Sequence, residues 1–595
     1  MPLANDLDDS RYGPWNPGIQ SQIPGELLHL STLFRPENAR NRLADLVELH
    51  DLTGLPLADV ASFRPERLAL HELLIRVTGN VSVPDGTKVE DLGISFRRIT
   101  QTLLDRHVLP QMPAIVAAYD ATRKALAAVI ERELARVSAA PAPPPPPRSL
   151  WSRLIGGKRA AAWAASAPPE VPALVADWES RSRRSGDAVE RAALRALTRT
   201  MSAVLVKHGE VWGDRGVVAR VATDLAANAL GSEVIGDLIE PLVASGAAQE
   251  GYRLLSRQAH PVVMNTKGPS AAGKSTMRPL QKQLAGRIGV DWGEFALISP
   301  DIWRKQLLDY GSLGDAYKYA GAFTGVELSI VDEKLDRYMA RKAERGEMSH
   351  LLIDRFRFDS FAPDSEIAGS NLLTRFGRIV YLFFLVTPPH LLVDRAWNRG
   401  LDVGRYKAVD DTLAHAVEAY AGMPELFFTW VRRTDKRVRF EFLDNTVPRG
   451  EPPRTAAFGW NDQLHVLDVA CMLSIERYRR IDIDAPSPDA LYADRALLAP
   501  ERNCGFLHQC LREFRDVAFV EQATGIVYLR VAAGAPVWAD GAALARALAD
   551  PDTRAGLAAV VPRLADVAPA TPEPPVTLAA DLHVHTVGTW GLRPD

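Results

Sequence analysis

Thiols are scarce: Cys471, Cys504 and Cys510 are the only cysteines in 595 residues. No two of them stand at C-x-x-C spacing, which excludes a dithiol redox motif or a cysteine-rich zinc site and fits a reducing compartment. Long apolar runs are lacking too. The longest, Ile379 to Val386, falls far short of the roughly 20 residues a membrane helix requires, so no membrane span is expected. Charge of one sign is also missing. Lys plus Arg number 70 against 73 Asp plus Glu, a net charge of −3, which supplies no global field for a polyanion and predicts no nucleic-acid partner. The N-terminus carries Asp6, Asp8 and Asp9 before any apolar stretch, the reverse of a secretory leader. The expectation is a cytoplasmic protein, although export by a signal-independent route would leave no such mark.

What is present is an ordinary folding composition, 47% hydrophobic and 24% charged, on a chain long enough for about three or four folding units. The sharpest break is Pro141-Ala142-Pro143 to Pro147, where fixed φ and missing amide donors impose an extended spacer. A stretch from Arg148 to Arg159, alternating basic residues with Trp151, Leu154 and Ile155, follows it as a solvated flank or a contact for an acidic surface. Arg181, Arg183 and Arg184 read the same way. Apolar residues recur at helical spacing on both sides, at Ile115, Tyr119, Thr122, Leu126, Val129 and Leu134, then at Val189, Ala193, Leu197, Met201 and Val204. Such stripes report a buried face and name no activity.

Beyond Pro261 the texture changes. Val262 to Met264, Phe295 to Ile298, Leu351 to Ile353, Ile379 to Val386 and Val438 to Leu443 are continuous apolar runs separated by helical stretches. That is what a parallel sheet covered on both faces requires. The predicted class is a multidomain chain. An α/β core with a parallel sheet, residues 258–450, is preceded by helical regions at 1–138 and 171–257, joined by a proline-rich and basic linker at 139–170. A helix and a small α+β unit with a disordered tail, residues 451–595, follow.

The strongest chemical signal is Gly268-Pro269-Ser270-Ala271-Ala272-Gly273-Lys274-Ser275-Thr276, the G-x-x-x-x-G-K-[ST] pattern of a P-loop. Glycines let backbone N–H groups wrap a phosphate, and the helix that follows aims its positive end there. Lys274 would reach the β- and γ-phosphates and Ser275 a Mg²⁺ ion, which makes ATP or GTP with Mg²⁺ the expected cofactors. The second strand ends at Ser299-Pro300-Asp301. A carboxylate at that edge can take the proton of an acceptor hydroxyl; the other reading of Asp301 is a helix N-cap. Asp354 closes another apolar strand and suits direct or outer-sphere Mg²⁺ work. Arg395, Arg399 and Arg405 follow the Thr387-Pro388-Pro389 break, either as neutralisers of a transferring phosphoryl group or as surface ion-pair arginines.

In this order the motifs resemble the zeta toxin family of P-loop kinases over roughly residues 258–445. The resemblance is carried by the P-loop, by Asp301-Ile302-Trp303-Arg304, by Thr324-Gly325-Val326-Glu327 with Asp332 and Glu333 beyond, by Asp354-Arg355-Phe356-Arg357, and by Pro388 with Arg399 and Arg405. It implies an ATP- or GTP-dependent transfer of phosphate to a small acceptor, a UDP-linked amino sugar or, in related effectors, NAD. By the same resemblance Asp301 would be the base and Lys274, Arg399 and Arg405 the charge stabilisers. Gly268, Ser270, Ala271, Ala272, Gly273, Ser275 and Thr276 would complete the nucleotide cradle, Asp354 would join Ser275 at the metal, and Arg304, Thr324, Glu327, Asp332 and Arg357 would line the acceptor. An antitoxin-like partner follows from it, or the helical N-terminal half acting as an inhibitor in cis. The chain departs from the family in reading Asp354-Arg355-Phe356 where members usually have Glu-Gly-Thr, and in lacking a proline near Leu307 to Gly311. A different class also fits the residues: an interaction protein gated by nucleotide, without turnover.

One motif lies outside this set. Asp581-Leu582-His583-Val584-His585-Thr586 looks like the opening strand of a PHP-type metal hydrolase, with two imidazoles on one face. Too little chain follows to supply the other ligands, so a remnant, a gene-boundary artefact or a coincidental histidine pair is expected rather than a working hydrolase.

Overall fold

The computed structural model describes residues 12–137, 171–209, 214–355 and 372–592. The proline run, the basic stretch that follows it, Phe356 and Arg357 therefore lie outside the described residues. The chain divides into two compact units. One comprises the described residues within Met1–Leu27, Val77–Ile99 and Ala247–Asp595, the other Leu28–Arg76 and Thr100–Gly246.

The second unit is helical. Its long helix Met112–Val137 buries Ile115, Tyr119, Leu126, Ile130 and Leu134, while Ala193, Leu197, Met201 and Val204 are buried on helix Ala188–His208. The periodic stripes in the sequence thus mark these packed faces. Asp187 caps the latter helix by accepting from Val189 N and Glu190 N, as the preference for short acidic caps predicts. A buried carboxylate, Glu133, accepts from Arg136 Nη1 at 2.6 Å, Trp178 Nε1 at 3.0 Å and both Arg181 Nη groups at 2.9 and 3.0 Å. Arg181 is therefore a half-buried ion-pair residue rather than a solvated flank. Burial pushes the Glu133 carboxyl up, but hydrogen bonds from Arg181, Arg136 and Trp178 outweigh it and hold the group at about 2. Its stabilisation is therefore full above the ordinary value of 4.5 and is lost as pH falls through about 2. Glu133→Ala is expected to cost about 2 kcal/mol at pH 7, since it leaves the buried Trp178 Nε1 without its acceptor while Arg181 keeps Glu190 and Asp177. The deficit against wild type should shrink at pH 3; urea midpoints of both proteins at the two pH values test this.

The first unit is organised by an eleven-stranded sheet, ordered β11-β10-β9-β8-β7-β6-β5-β4-β1-β3-β2. Its parallel block consists of β1 (Val262–Lys267), β2 (Phe295–Ile298), β3 (His350–Asp354), β4 (Ile379–Val386) and β5 (Arg437–Asp444). These strands pair in register as β2·β3, β3·β1, β1·β4 and β4·β5. They are the five continuous apolar runs of the sequence, and all but their end residues are buried. Chain order runs β1 to β3 and β2 on one side and to β4 and β5 on the other, so the order reverses at β1. In open parallel sheets the crevice outside the carboxyl ends at such a reversal is where ligands bind.

The sheet is mixed rather than purely parallel. Strands β6 (Arg454–Trp460) and β7 (Gln463–Val466) continue it antiparallel from β5, and β8 (Asp516–Val520) joins β7 in parallel. Strands β9 (Val527–Ala532) and β10 (Ala535–Asp540) then add antiparallel, and β11 (Pro569–Ala570) pairs β10 in parallel. The C-terminal strands thus extend the core sheet instead of forming a sheet of their own, and they satisfy the backbone groups that β5 would otherwise expose at an edge. The N-terminal part of the unit meets the core through side chains. Trp303, fully buried, donates from Nε1 to Thr78 Oγ1 at 3.2 Å, and Arg278 Nη2 donates to Val89 O at 2.7 Å.

The segment that looks like the opening strand of a metal hydrolase forms a 3₁₀ turn, Ala580–His585. His583 stacks on Trp590 with ring centroids 3.9 Å apart, whereas His585 Nδ1 lies 2.9 Å from Tyr381 Oη. The two rings serve different partners. Trp590 belongs to an apolar cluster with Phe458, Leu467, Val520 and Val527, against which Leu582 packs. Val587 N and Gly588 N donate to the fully buried Glu441 at 2.8 and 3.0 Å. Packing and carboxylate capping set this backbone, and no cluster of three or more His, Cys, Asp or Glu suited to a metal occurs among the described residues. Among those residues, too, no helix is long and apolar enough to cross a membrane. Cys471 and Cys510 are buried and Cys504 half-buried, all as free thiols.

Candidate functional site

Strand β1 delivers the glycine-rich loop to the reversal point. Buried through Lys267, it runs directly into Gly268. Ala271 and Gly273 both adopt positive φ, 64° and 95°. At Gly273 the requirement is double, because a Cβ there would lie 2.6 Å from Asn445 Nδ2. Asn445 Nδ2 donates to Ala272 O at 2.6 Å, and Arg395 Nη2 donates to Asn445 O and Val447 O at 2.8 and 3.2 Å. Arg395 therefore braces the segment after β5, which in turn holds the loop. Lys274 Nζ donates to Gly268 O and Pro269 O at 3.0 and 2.9 Å, so the loop folds back over its own lysine. Burial pushes the Lys274 ammonium down while Asp354 and Asp301 pull it up. Thr276 Oγ1 donates to Gly273 O at 2.6 Å. Beyond it a short 3₁₀ turn, Lys274–Met277, leads into helix Arg278–Arg287.

Asp354, at the end of β3, pairs with Thr266 of β1 across the sheet. Its Oδ2 accepts from Ser275 Oγ at 2.8 Å and is 3.5 Å from Ser299 Oγ. A hydroxyl and a carboxylate so placed are hard oxygen donors. They fit Mg²⁺, which characteristically takes one or two protein oxygens and completes its shell with phosphate and water.

At the end of β2 stands Asp301. Its carboxylate makes no capping hydrogen bond; the residue lies inside the 3₁₀ turn Pro300–Trp303 with Ser299 at the cap position. Asp301 Oδ1 accepts from Arg304 Nε at 2.9 Å, and Oδ2 accepts from Arg405 Nη2. Arg304 is anchored by Nη1, which donates to Gly321 O and Thr324 Oγ1 at 2.6 and 2.7 Å. Arg399 Nε donates to the Arg405 carbonyl at 3.3 Å. Burial raises the Asp301 carboxyl, yet Arg405 and Arg304 together hold it well below the usual carboxylate range. Burial, with Arg405 beside it, brings Arg399 down to about 9, which leaves that guanidinium charged at neutral pH. Tyr310, its hydroxyl pushed up by burial, feels the same three arginines and Asp301.

The sequence candidates thus fall into two groups. Lys274, Ser275 and Asp354 meet at the glycine-rich loop, and Asp301, Arg304, Thr324, Arg399 and Arg405 meet at the end of β2. Glu327 is fully buried in helix Gly325–Glu344. Asp332, on the same helix, forms a buried ion pair with Arg355, whose Nη2 is 2.7 Å from Asp332 Oδ1 and whose Nη1 donates to Asp336 Oδ1 at 2.5 Å. Arg355, standing where the family pattern has glycine, is turned inward by two carboxylates one helical turn apart. Asn445 and Tyr310 were not among the candidates. Asn445 directly follows an apolar parallel strand, and that position was the signal for it.

No protein-family model matches the chain, and no curated protein does. Among solved structures, a chain from a characterization of the PezAT chromosomal toxin-antitoxin system of Streptococcus pneumoniae is similar at 18% identity, over 32% of this chain and 70% of that one, with a TM-score of 0.23. At that score the likeness carries no argument, and the site's own geometry supports the reading below.

Proposed function

We propose that this chain is a Mg²⁺-dependent phosphotransferase of zeta toxin type that moves the γ-phosphoryl group of ATP or GTP to a hydroxyl of a small nucleotide-containing metabolite, UDP-sugar or NAD-like, and acts as a toxin or effector in the cytoplasm. The observation that carries the reading is Asp301, kept ionised between Arg304 and Arg405 at the same sheet edge as the Lys274 loop and the Ser275 to Asp354 hydroxyl-carboxylate pair. Phosphoryl transfer asks little covalent chemistry of a protein; it needs positioning, charge neutralisation and a proton acceptor.

Each need has a residue. The positive-φ loop and the helix behind it would present N–H groups to the β-phosphate, and Lys274 would exchange two carbonyl oxygens for phosphate oxygens. A bound Mg²⁺ would neutralise charge between the terminal phosphates. Arg399 and Arg405 would meet the charge that spreads over the transferring group, and with Arg405 drawn to phosphate, Asp301 would be released to accept the acceptor's hydroxyl proton. An antitoxin-like protein, or the chain's own helical unit, is the partner proposed to restrain it.

Incubation with labelled ATP and Mg²⁺ against UDP-linked sugars, NAD and nucleosides tests the reading. Wild type should label an acceptor that Lys274→Ala leaves unlabelled. The engagement of Asp301 by two arginines also suits a nucleotide-gated interaction protein, and tight ATP binding without turnover on any acceptor would decide for that.

A further inference from the structure

Beyond the arginines lies a cluster with no role in that scheme. The chain from Gly404 to Ala408 joins helix Pro389–Val403 to helix Val409–Val431 and carries Arg405, Tyr406 and Lys407 in succession. Tyr406 is buried against Gly400, where a Cβ would come within 2.4 Å of its ring, and against Trp397 and Tyr317 with centroids 5.6 and 6.0 Å away. Arg405 and Lys407 flank this buried ring in sequence, and Lys407 feels the charges of both Arg399 and Arg405. Arg405 goes to Asp301. The Lys407 side chain, only 11% exposed, places Nζ 2.6 Å from His415 Nδ1 and 3.2 Å from Asp411 Oδ2, and His415 Nε2 is 3.4 Å from Asp411 Oδ1.

One protonation pattern satisfies all three contacts with His415 neutral. A neutral imidazole accepts from Lys407 at Nδ1 and donates from Nε2 to an ionised Asp411. Two of the three N–H bonds of a Lys407 ammonium are then used and one is left. The groups facing Lys407 are Asp411 and His415 from the following helix, Arg399 from the preceding one and Arg405 from its own segment; Lys274 and Asp301 also act on His415. Counted together, Lys274, Arg304, Arg399, Arg405 and Lys407 face Asp301, Asp354 and Asp411, an excess of cations in a partly desolvated crevice. Such an excess is costly unless a polyanion compensates it.

We propose that Lys407, positioned by Asp411 and His415 two residues beyond Arg405, is a further phosphate-binding residue of this site. The inference rests on the phosphotransferase reading and adds a residue that neither the P-loop nor the zeta-like motifs contain. It has a consequence in protons. Burial first, then Arg399 and Arg405 against the opposing pull of Asp411, brings Lys407 down to about 7, and burial with Lys407 brings His415 to about 4. His415 is thus neutral at physiological pH, and Lys407 is only partly charged until phosphate oxygens raise it. Nucleotide binding should therefore take up a proton.

The test is calorimetric titration of the full chain with β,γ-imido-ATP and Mg²⁺ at pH 7.5, in buffers of different ionisation enthalpy. Wild type should take up a fraction of a proton per nucleotide bound, because Lys407 is only partly charged before phosphate reaches it. Lys407→Met should abolish the uptake and weaken binding roughly tenfold or more. Lys407→Arg, always charged, should abolish the uptake yet bind within about threefold of wild type. Wild type that binds nucleotide without proton uptake overturns the proposal and leaves the phosphotransferase reading standing. So does Lys407→Met with unchanged affinity and uptake. Absence of any nucleotide binding overturns both. The wild-type measurement needs no variant to fold.

Discussion

Arg405→Ala is expected to lower the rate of phosphoryl transfer by roughly 10³-fold or more, the scale of a guanidinium that meets transition-state charge. That is about 4 kcal/mol of barrier. ATP affinity should change by no more than about tenfold, because on the phosphotransferase reading proposed above Lys274 and the loop amides would carry the ground-state phosphate contacts. The geometry makes the substitution clean. Arg399 is tied to the Arg405 carbonyl oxygen, not to its side chain, so the alanine variant keeps Arg399 in place. Asp301 also keeps one partner in Arg304. Arg405→Lys should recover only part of the loss, since an ammonium cannot reproduce the planar fork. Single-turnover rates beside equilibrium ATP titration separate the effects. Equal losses in affinity and rate would make Arg405 a ground-state phosphate ligand, and no loss in either would make its contact with Asp301 purely structural.

The parallel block of the sheet was legible because β1 to β5 are buried on both faces, and burial on both faces writes itself as an unbroken apolar run. Strands β6, β7, β10 and β11 were not. Gln463 to Val466 alternates polar and apolar residues over four positions, and so short an alternation has no unique reading. That these strands continue the core sheet depends on pairing with β5, a non-local fact. The bend of the glycine-rich loop was legible because it is local: residues at fixed spacing set the positive φ at Ala271 and Gly273. Asp301 was a candidate for the same reason, but its engagement with Arg405, 104 positions away, was not readable. Nor was the inward turn of Arg355 toward Asp332 and Asp336, which requires the helix face and the strand end to be already facing. The histidine pair near the C-terminus shows the converse. Its spacing matched a motif, while its backbone is set by Trp590 stacking and by Glu441, neither of which a local pattern records.

Asp301→Asn separates what the same residue does for stability and for chemistry. The side chain is 44% exposed, so its ion pairs with Arg304 and Arg405 are solvent-screened and their loss should cost less than ~1 kcal/mol of folding free energy. Loss of a proton acceptor at the acceptor hydroxyl should cost roughly 10³-fold in rate. Nucleotide affinity should move the other way. Asn removes the one negative charge that holds Arg405 and Arg304 in the absence of ligand, leaving Arg405 disengaged and the crevice more positive, so ATP should bind as tightly as to wild type or a few-fold tighter. The pH profile adds an independent check. Because Arg405 and Arg304 keep the wild-type carboxyl well below the usual range, burial notwithstanding, Asp301 stays ionised as pH falls from 7 to 5. Over that interval no acid limb due to it should appear in wild-type kcat/KM, which reports the free enzyme, where Arg405 still holds Asp301. Tighter or equal ATP binding with a collapsed rate and an unshifted melting transition is the expected triad of results. Weaker binding with a rate near wild type would remove Asp301 from the chemistry and return it to the role of a strut between two arginines.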